Sequence, residues 1–600
     1  MCCATTARTD KKHPYPMASI KDLTSLLFTI SLSVASFCAC SSSDSSNTND
    51  SDDGYPLTEA DTVTSPEVAN LHNPLPSIPT PQHLSGNFGE LRNNHFHSGL
   101  DFKTNGRTGY RVAAADSGFV SRVVVSPWGF GRAVYVEHPH TGLTTVYGHL
   151  ESFSPDIDKK VRDEQYRRQQ FSIDMTFAPG EIPVARGATI GRSGNAGSSG
   201  GPHLHMDVRH TATGDPVDPM PYFKSSFADK TAPEMRKLTL YAVDGEGYVD
   251  NATKNETAPY RFKAWGKVYP GIKAYDRMDG TRNIYGVKHM RLTVDGRQIY
   301  SRDIDRVAFG STRAVHTLIH FPSLKCGGEW IMTTRVPESG PLPDMIEAEG
   351  NGILDIDAER DYACMFTLED EMGNVSKIPF TITGVRSGIP EKRTAGHKVR
   401  HNRDFIFHGN GIEVTIPAAT LYDDMQFTHT ASSNGSYLSA IHKIGDYTVP
   451  LAGPIAISVE IADDSTDDKS KYCLVRFNDK GNGRRAIAAR YINGRMVAEV
   501  KDFGRYAVTT DHTPPTVTRV KKTAKDVISF ILKDNLSGIA SYRGEIDGKF
   551  ALFELDGKTA RASFTIDRSR FKPTGTPHKV TMTATDACGN TTTVEDTVTF

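Results

Sequence analysis

The chain has 600 residues, of which 23% are charged, and its formal net charge is −2 at pH 7. This length exceeds what one hydrophobic core supports, so several domains are expected. The balanced charge creates no global field for a nucleic acid or an anionic surface, and we predict no nucleic-acid partner. The 51 glycines and 33 prolines, among many short runs rich in Val, Ile, Thr and Tyr, predict an all-β fold with many turns.

The first forty residues have the pattern of an export signal. Lys21 precedes an uncharged, largely apolar run from Leu23 to Ala39, and a polar tract from Ser41 to Asp53 follows Cys40. A basic start, a short apolar centre and a small-residue end are typical of a signal peptide and not of a membrane span. The cysteine and the tract after it resemble the lipobox of bacterial lipoproteins, which implies lipid attachment at Cys40 or, with a poorer fit, at Cys38. Signal cleavage with release is the alternative.

Residues 41–81 are of low complexity and punctuated by proline, which predicts a flexible linker. Beyond Leu84, strand-like runs separated by glycine turns continue to about Phe223. One helical segment interrupts them, because Ser154 and Pro155 are typical of a helix start and Asp156 to Gln170 is charged and free of glycine. Its basic side predicts a solvated face; contact with an anionic polymer is the alternative.

The chain beyond Lys224 contains a degenerate internal repeat. Asp229-Lys-Thr-Ala-Pro233 recurs as Asp511-His-Thr-Pro-Pro515, and Asp370-Glu-Met-Gly-Asn374 recurs as Asp586-Ala-Cys-Gly-Asn590. These repeats predict two Ig-like β-sandwiches, over 226–387 with insertions and over 511–600, with a third β-sandwich over 388–510 between them.

Four cysteines lie beyond the leader, widely spaced and in no CxxC pair, which excludes a zinc-finger motif or a dense disulfide framework. Cys326 and Cys364 fall in one predicted domain and are candidates for a disulfide in an oxidising compartment. Buried free thiols are the alternative for these two and for Cys473 and Cys588.

A glycine- and serine-rich loop, Gly191 to Gly200, leads into Gly201-Pro-His-Leu-His-Met-Asp-Val208. Polar and apolar residues alternate there, which predicts a half-buried strand on which His203 and His205 share a face. Two imidazoles on one face favour a metal or acid/base site. A chance pair on a solvated face is the alternative for this motif alone.

Further motifs upstream decide between these readings. Phe88-Gly89-x-x-Arg92 is followed by His97-x-x-x-Asp101, then by Tyr147-Gly-His149-Leu, the glycine loop and the His-x-His strand. In this order, the set resembles the lysostaphin-like zinc metallopeptidases, also called the LytM family or peptidase family M twenty-three. The resemblance covers roughly Leu84 to Phe223 and implies an antiparallel β metallopeptidase domain over 82–225, between a leader (1–40), the linker and the β-sandwich domains.

The resemblance implies one zinc ion with His97, Asp101 and His205 as its ligands. It makes His149 and His203 the catalytic pair, and it suggests Tyr147 as an assisting donor near the oxyanion. A catalytic zinc commonly takes three His or carboxylate ligands and leaves one position for water, which agrees with this set.

The implied function is a zinc-dependent endopeptidase that cuts peptide cross-links of bacterial peptidoglycan, exported to the cell envelope and anchored by an N-terminal lipid in the periplasm or outer membrane. The alternatives are a non-catalytic activator of another wall hydrolase, which typically loses metal ligands, and a surface adhesin or glycan binder based on the β-sandwiches.

The four-residue spacing between His97 and Asp101 tests in part whether both can bind one ion. On a straight strand, His97 and Asp101 would lie about 13 Å apart, so one ion can bind both only if the chain bends, and we expect the bend at Gly99. Residues 151–185 form a longer connection than typical relatives have, and the sequence leaves open whether this insertion covers or edges the groove.

Overall fold

The computed structural model describes residues 70–600 apart from 251–257 and single positions at 393, 434, 480, 482, 525 and 573. The predicted signal and the lipidation site at Cys40 or Cys38 lie outside the described residues. Over the described residues the fold is all-β, as predicted, with many sheets and three short α-helices. None of the helices described is both long and apolar enough to span a bilayer.

The first domain is built on a nine-stranded sheet with a small three-stranded sheet beside it. In the large sheet the order is β1-β4-β13-β8-β7-β6-β10, with β11 on β6 and β14 on β13, while β5, β12 and β9 form the small sheet. The strands are β1 (Leu84–Gly86), β2 (Leu91–Arg92), β3 (His95–Phe96), β4 (Leu100–Lys103), β5 (Arg111–Ala113), β6 (Gly118–Val125), β7 (Arg132–His138), β8 (Leu143–Gly148), β9 (Ser152–Phe153), β10 (Ile173–Thr176), β11 (Pro183–Val184), β12 (Thr189–Arg192), β13 (His203–His210) and β14 (Pro216–Val217).

Strand β13 lies between β4 and β8, and antiparallel pairing on both sides fixes its register. Leu204, Met206 and Val208 are fully buried in the hydrophobic core. A slip by one residue would exchange the two faces of the strand, so this apolar set determines which way His203 and His205 point. The predicted alternation is therefore the feature that positions the site.

The predicted linker does not extend to residue 81. Leu71 and Leu75 are buried in the core of the first domain, and the backbone N–H groups of His72 and Ala113 donate to Ala115 and Pro74 respectively. Proline-rich composition predicted a tether here, but burial of two leucines and two backbone hydrogen bonds bind the segment to the domain.

The insertion contains the predicted helix, α1 (Pro155–Arg168). Ile157 and Val161 are its buried apolar residues, while its basic residues pair largely with acids of the same helix, including Lys159 with Asp163. This pairing fits a solvated face. The short helix α2 (Met220–Phe223) closes the domain.

Residues 234–384 form one nine-stranded sheet in the order β15-β16-β23-β22-β17-β18-β20, with β19 and β21 on β16. The strands are β15 (Glu234–Asp250), β16 (Tyr260–Tyr275), β17 (His289–Val294), β18 (Arg297–Asp303), β19 (Met332–Thr333), β20 (Ile346–Ala348), β21 (Leu354–Ile356), β22 (Asp361–Glu369) and β23 (Val375–Gly384), and helix α3 (Phe321–Gly327) lies between β18 and β19. The predicted Ig-like sandwich over 226–387 differs from this arrangement, because the 16-residue β16 pairs with four strands and joins them into a single sheet.

Residues 397–510 form two five-stranded sheets around a shared core, with β24 and β27 paired separately. The strands are β24 (His397–Val399), β25 (Phe405–Gly409), β26 (Ile412–Ile416), β27 (Met425–Phe427), β28 (His429–Ser432), β29 (Ile441–Ile444), β30 (Ile455–Glu460), β31 (Tyr472–Phe477), β32 (Arg484–Ile487), β33 (Arg490–Ile492), β34 (Arg495–Val500) and β35 (Gly504–Thr510).

Residues 516–599 form two four-stranded sheets, β36-β37-β41-β40 and β39-β38-β42-β43, around their own core. The strands are β36 (Thr516–Arg519), β37 (Val527–Lys533), β38 (Ile539–Ile546), β39 (Lys549–Ala551), β40 (Glu554–Asp556), β41 (Arg561–Thr565), β42 (Pro577–Asp586) and β43 (Thr591–Thr599).

The cysteines predict a simple labelling result. All four described cysteines are free thiols; Cys326 is exposed, whereas Cys364, Cys473 and Cys588 are buried, so the pair Cys326–Cys364 is not formed. Burial raises the pKa of Cys364 to about 12, which lowers its thiolate fraction. We expect iodoacetamide to modify Cys326 in the folded protein and the buried thiols only after unfolding, as mapped by peptide mass spectrometry. A peptide containing Cys326 linked to Cys364 would contradict this expectation.

Candidate metal centre

Strand pairing and a bend bring three predicted ligands together. Asp101 on β4 lies directly opposite His205 on β13. His97 lies just before β4, and the chain bends at Gly99, as the spacing required. A Cβ atom at Gly99 would lie 2.2 Å from the carbonyl oxygen of Met206. Glycine therefore allows this bend to lie directly against β13.

The three side chains meet at one point and are almost fully buried. His97 Nε2 lies 3.0 Å from Asp101 Oδ1 and 3.0 Å from His205 Nδ1, and the last two atoms are 2.8 Å apart. Ligands at the usual bond lengths of a tetrahedral zinc are about 3.3 Å apart, so a small outward shift accommodates the ion. Two imidazole nitrogens and one carboxylate oxygen are also a donor set that zinc accepts. The residues present fit a zinc ion.

The remaining nitrogen of each imidazole is bonded to an acceptor that sets its tautomer. His97 Nδ1 lies 2.6 Å from the carbonyl oxygen of Asn87, and His205 Nε2 lies 2.6 Å from Asp207 Oδ1. Each of these nitrogens must donate, so the lone pairs of His97 Nε2 and His205 Nδ1 both face Asp101. Two facing lone pairs and an anionic oxygen require a cation or a proton between them.

The electrostatics of the site also favour positive charge. Burial alone would lower the pKa of His205, but Asp207 and Asp101 outweigh it and raise that pKa to about 9. The carboxylate of Asp101 is itself held by Arg92, whose Nη2 donates to Asp101 Oδ2 at 3.0 Å. Phe130 stacks on the ring of His205 at a centroid distance of 4.7 Å and limits its rotation.

Asp207 orients His205 and is bound in turn by Arg209, whose Nε donates to Asp207 Oδ2 at 2.9 Å. Losing such a supporting carboxylate typically costs 10–100-fold in metal affinity. We expect Asp207→Asn to weaken zinc binding by about tenfold or more, measured by competition with a chromophoric chelator. Asp174→Asn is the matched control, because Asp174 pairs with Arg122 on the exposed surface. Equal affinities in the two variants would contradict this role.

The two predicted catalytic histidines lie beside the three ligands. The ring of His149 is 4.8 Å from that of His203 and 5.8 Å from that of His205. His149 Nδ1 donates to the carbonyl oxygen of Ala196, and His203 Nδ1 lies 2.8 Å from that of Gly201. These bonds leave the Nε2 atoms of both rings turned towards the ligands, and His203 Nε2 lies 3.3 Å from Asp101 Oδ1.

His149 is held in an uncommon backbone conformation, with φ at 60°. Its N–H donates to Phe130, and its carbonyl oxygen accepts from the N–H of Ala196. Strain of this kind persists only where surrounding bonds impose it and is common at functional sites. Burial, with the nearby His205 and His203, lowers the pKa of His149 to about 3, which keeps the imidazole neutral.

Comparison with known proteins gives matches to parts of the chain. A family model described as a Zu5-like domain matches residues 396–511. No curated protein matches the chain. A mutant catalytic domain of EnpA, a prophage-encoded protein of peptidase family M twenty-three from Enterococcus faecalis, is 23% identical over 24% of this chain and 92% of its own, with a TM-score of 0.17.

Two further solved structures are similar over the same share of the chain. The catalytic domain of the antimicrobial peptidase lysostaphin from Staphylococcus simulans is 24% identical over 24% of this chain and 90% of its own, with a TM-score of 0.17. A zinc-containing peptidase from Vibrio cholerae is 25% identical over 23% of this chain and 36% of its own, with a TM-score of 0.16.

Tyr147 does not lie at the site, although the motif that contains it does. Its side chain is fully buried, and its hydroxyl oxygen accepts from the N–H of Ala115 and from the hydroxyl of Thr145. Residues two apart on a regular strand share a face, but β8 ends at Gly148 and His149 has a left-handed backbone conformation with φ at 60°. His149 therefore turns towards the site while Tyr147 points into the core. Tyr147 supports the fold, and its expected contact with the oxyanion is absent.

An open cleft leads to the site and is lined by Asp101, His149, the loop 198–203 and Gly280. No described residue of the insertion lines this cleft. Helix α1 instead contacts the last domain, where Arg570 Nη2 lies 3.1 Å from Asp163. In the structure, the insertion therefore neither lines nor edges this cleft.

Sequence reasoning missed the supporting roles of Arg92 and of the carbonyl group of Asn87. Arg92 belongs to the Phe-Gly-x-x-Arg motif, which was a usable signal, because an arginine close in sequence to a buried carboxylate commonly pairs with it. The Asn87 carbonyl gives no signal of this kind, since any residue supplies one.

Proposed function

We propose that the chain is a zinc-dependent endopeptidase that hydrolyses peptide cross-links of bacterial peptidoglycan. The observation that carries this proposal is the convergence of His97 Nε2, Asp101 Oδ1 and His205 Nδ1, with the second nitrogen of each imidazole bonded to an acceptor. A bound zinc ion supplies a water of pKa about 7 and polarises the scissile carbonyl.

His149 and His203 supply the proton transfers. Each directs its Nε2 towards the ligands, because each Nδ1 is engaged by a backbone carbonyl. Neutral imidazole accepts a proton at that nitrogen and, once protonated, donates to a developing oxyanion or to the leaving amine. The hydrogen bond from His149 to Ala196 keeps the ring aimed at the cleft throughout.

The substrate and location follow from the order of motifs and from the leader. The resemblance to lysostaphin-like peptidases favours a wall peptide, and the open cleft admits an extended chain. An exported enzyme anchored through Cys40 or Cys38 would act within the cell envelope. The domain boundaries at 82–225, 226–387, 388–510 and 511–600 belong to the same proposal, with the first domain extended to residue 70.

The experiment is mass spectrometry of muropeptides released from purified sacculi. Zinc-loaded protein is expected to convert cross-linked muropeptides to monomers, and the masses identify the bond that is cut. Treatment with a chelator should stop the reaction, and added zinc should restore it. Intact cross-links with a zinc-loaded, folded protein would favour the non-catalytic activator instead.

A further inference from the structure

Each of the two copies of the internal repeat ends in a turn, and the two turns have the same hydrogen bonds. In the first, Asp370 Oδ1 accepts from the N–H groups of Met372 and Asn374, and Asp370 Oδ2 accepts from Asn374 Nδ2. Asn374 Nδ2 also donates to the carbonyl oxygen of Asp229 at 3.3 Å. The turn thereby holds the end of β22 against the segment that precedes β15.

The second copy repeats these bonds. Asp586 Oδ1 accepts from the N–H groups of Cys588 and Asn590, and Asp586 Oδ2 accepts from Asn590 Nδ2. Asn590 Nδ2 donates to the carbonyl oxygen of Asp511 at 3.0 Å. The sequence repeat is therefore a repeat of structure down to single hydrogen bonds.

Each turn has a third carboxylate, which the sequence comparison did not reveal. Asp276 directly follows β16 and Asp534 directly follows β37. The backbone N–H of Asp279, three residues after Asp276, donates to the side chain of Asp229. In the same way, the N–H of Ser537, three residues after Asp534, donates to the side chain of Asp511. We call Asp229, Asp276 and Asp370 the first triad, and Asp511, Asp534 and Asp586 the second triad.

The carboxylate oxygens of each triad converge with nothing to neutralise them. One oxygen from each member lies within 4.8 Å of the others. Among the described residues, no lysine, arginine or histidine forms an ion pair with any of the six carboxylates. Uncompensated buried carboxylates repel one another and are costly to desolvate.

In each triad, one buried carboxylate oxygen has no hydrogen-bond partner among the described residues, which indicates a bound group. Asp276 is 5% exposed, and its Oδ1 is buried without a hydrogen-bond partner among the described residues; the equivalent atom Asp534 Oδ1 is buried and unpartnered as well. Buried polar atoms in native proteins nearly always have a partner, so the orphaned oxygen of Asp276 points to a group bound in the first triad. In the second triad Asp534 is half-buried, and the same pattern of backbone bonds supports an equivalent site there.

We propose that each triad binds one calcium ion. Calcium takes six to eight oxygen ligands from carboxylates, carbonyls and water in flexible geometry, which suits three aspartates at a turn. Magnesium demands a smaller octahedral cage, and zinc prefers nitrogen and sulfur donors, so calcium fits three carboxylates best. Beside the second triad, the sulfur atoms of Cys473 and Cys588 also lie within 4.8 Å of an Asp511 oxygen. This inference is independent of the zinc site and of the proposed peptidase activity.

The position of the triads assigns them a role at domain junctions. Asp229 lies between Phe227 and the start of β15, and Phe227 packs in the core of the first domain. Asp511 lies between β35 and β36. An ion shared with the strand ends at Asp276 or Asp534 fixes the connecting segment to the domain that follows it. Calcium binding would therefore stiffen both junctions.

The test is calorimetric titration of the full chain with CaCl2 after dialysis against calcium-free buffer and loading with one equivalent of zinc. We expect two calcium ions per chain, at an affinity in the range of about 10⁻⁴–10⁻³ M or tighter, as in extracellular modules. Asp276→Asn and Asp534→Asn should each bind one, and the double variant none.

Asp355→Asn is the matched control, since Asp355 is exposed on β21 and belongs to neither triad, and it should bind two ions. An unchanged zinc content and circular dichroism spectrum establish that each variant is folded. No calcium uptake at about 1 mM, two ions in the double variant, or equal binding of MgCl2 would overturn the proposal.

Discussion

Replacing His205 with alanine is expected to abolish zinc binding and hydrolysis together. The change removes one of three ligand atoms and leaves Asp207, which is fully buried, without the imidazole that it accepts from. Without the ion, the pKa of the water that attacks the peptide stays far above the value of about 7 that zinc would give it, so we expect the rate of cross-link hydrolysis to fall by more than about 10⁴-fold.

The measurement is zinc content by atomic emission beside the release of monomeric muropeptides from sacculi. His210→Ala is the matched control, because His210 is an exposed residue on the same strand, five positions further along. That variant should keep one zinc ion per chain and full activity. Retention of stoichiometric zinc by the folded His205→Ala protein would remove His205 from the ligand set.

Replacing His149 with asparagine is expected to separate zinc binding from catalysis. Asparagine tolerates the positive φ of this position better than alanine does, and it lacks the basic Nε2. Loss of a general acid–base group typically lowers the rate by about 10²–10⁴-fold. We expect a fall of that size in kcat, with one zinc ion still bound per chain.

This split between zinc content and rate distinguishes a proton-transfer role from a structural one. If His149 only supported the fold, the variant would lose zinc or unfold, and its activity would fall in proportion. If His149 were a ligand, zinc affinity would fall with the rate. Unchanged kcat in a folded, zinc-loaded variant would contradict the role that we assign to Nε2.

The sequence predicted much of the candidate site because its members lie in short motifs with strong local constraints. Alternation of apolar residues in β13 determined which face His205 occupies, and the four-residue spacing from His97 to Asp101 required a bend that only glycine allows at Gly99. Local pattern and close packing agree at these positions. The all-β fold was predicted from composition and turn frequency, which also reflect local preferences of the chain.

Features that depend on distant pairing could not be read from the chain. The single sheet over 234–384 arises because β16 pairs with its neighbour β15 and also with β19, β21 and β23 much further along the chain. No periodicity specifies such distant partners. Asp276-Arg-Met-Asp-Gly280 and Asp534-Asn-Leu-Ser-Gly538 share only an aspartate, an apolar residue and a glycine. So short a pattern did not connect these segments with the repeat, and their equivalence became clear from their contacts. Likewise, burial of Leu75 overrode a composition that predicted a flexible linker.

The most direct measurement is anomalous X-ray scattering at the zinc edge from crystals of the zinc-loaded chain. Our account predicts one strong peak in the first domain within about 2.0–2.2 Å of His97 Nε2, Asp101 Oδ1 and His205 Nδ1, with His149 and His203 beside it and not bonded to the ion. A peak at other residues, or no zinc peak at these three atoms, would contradict the account.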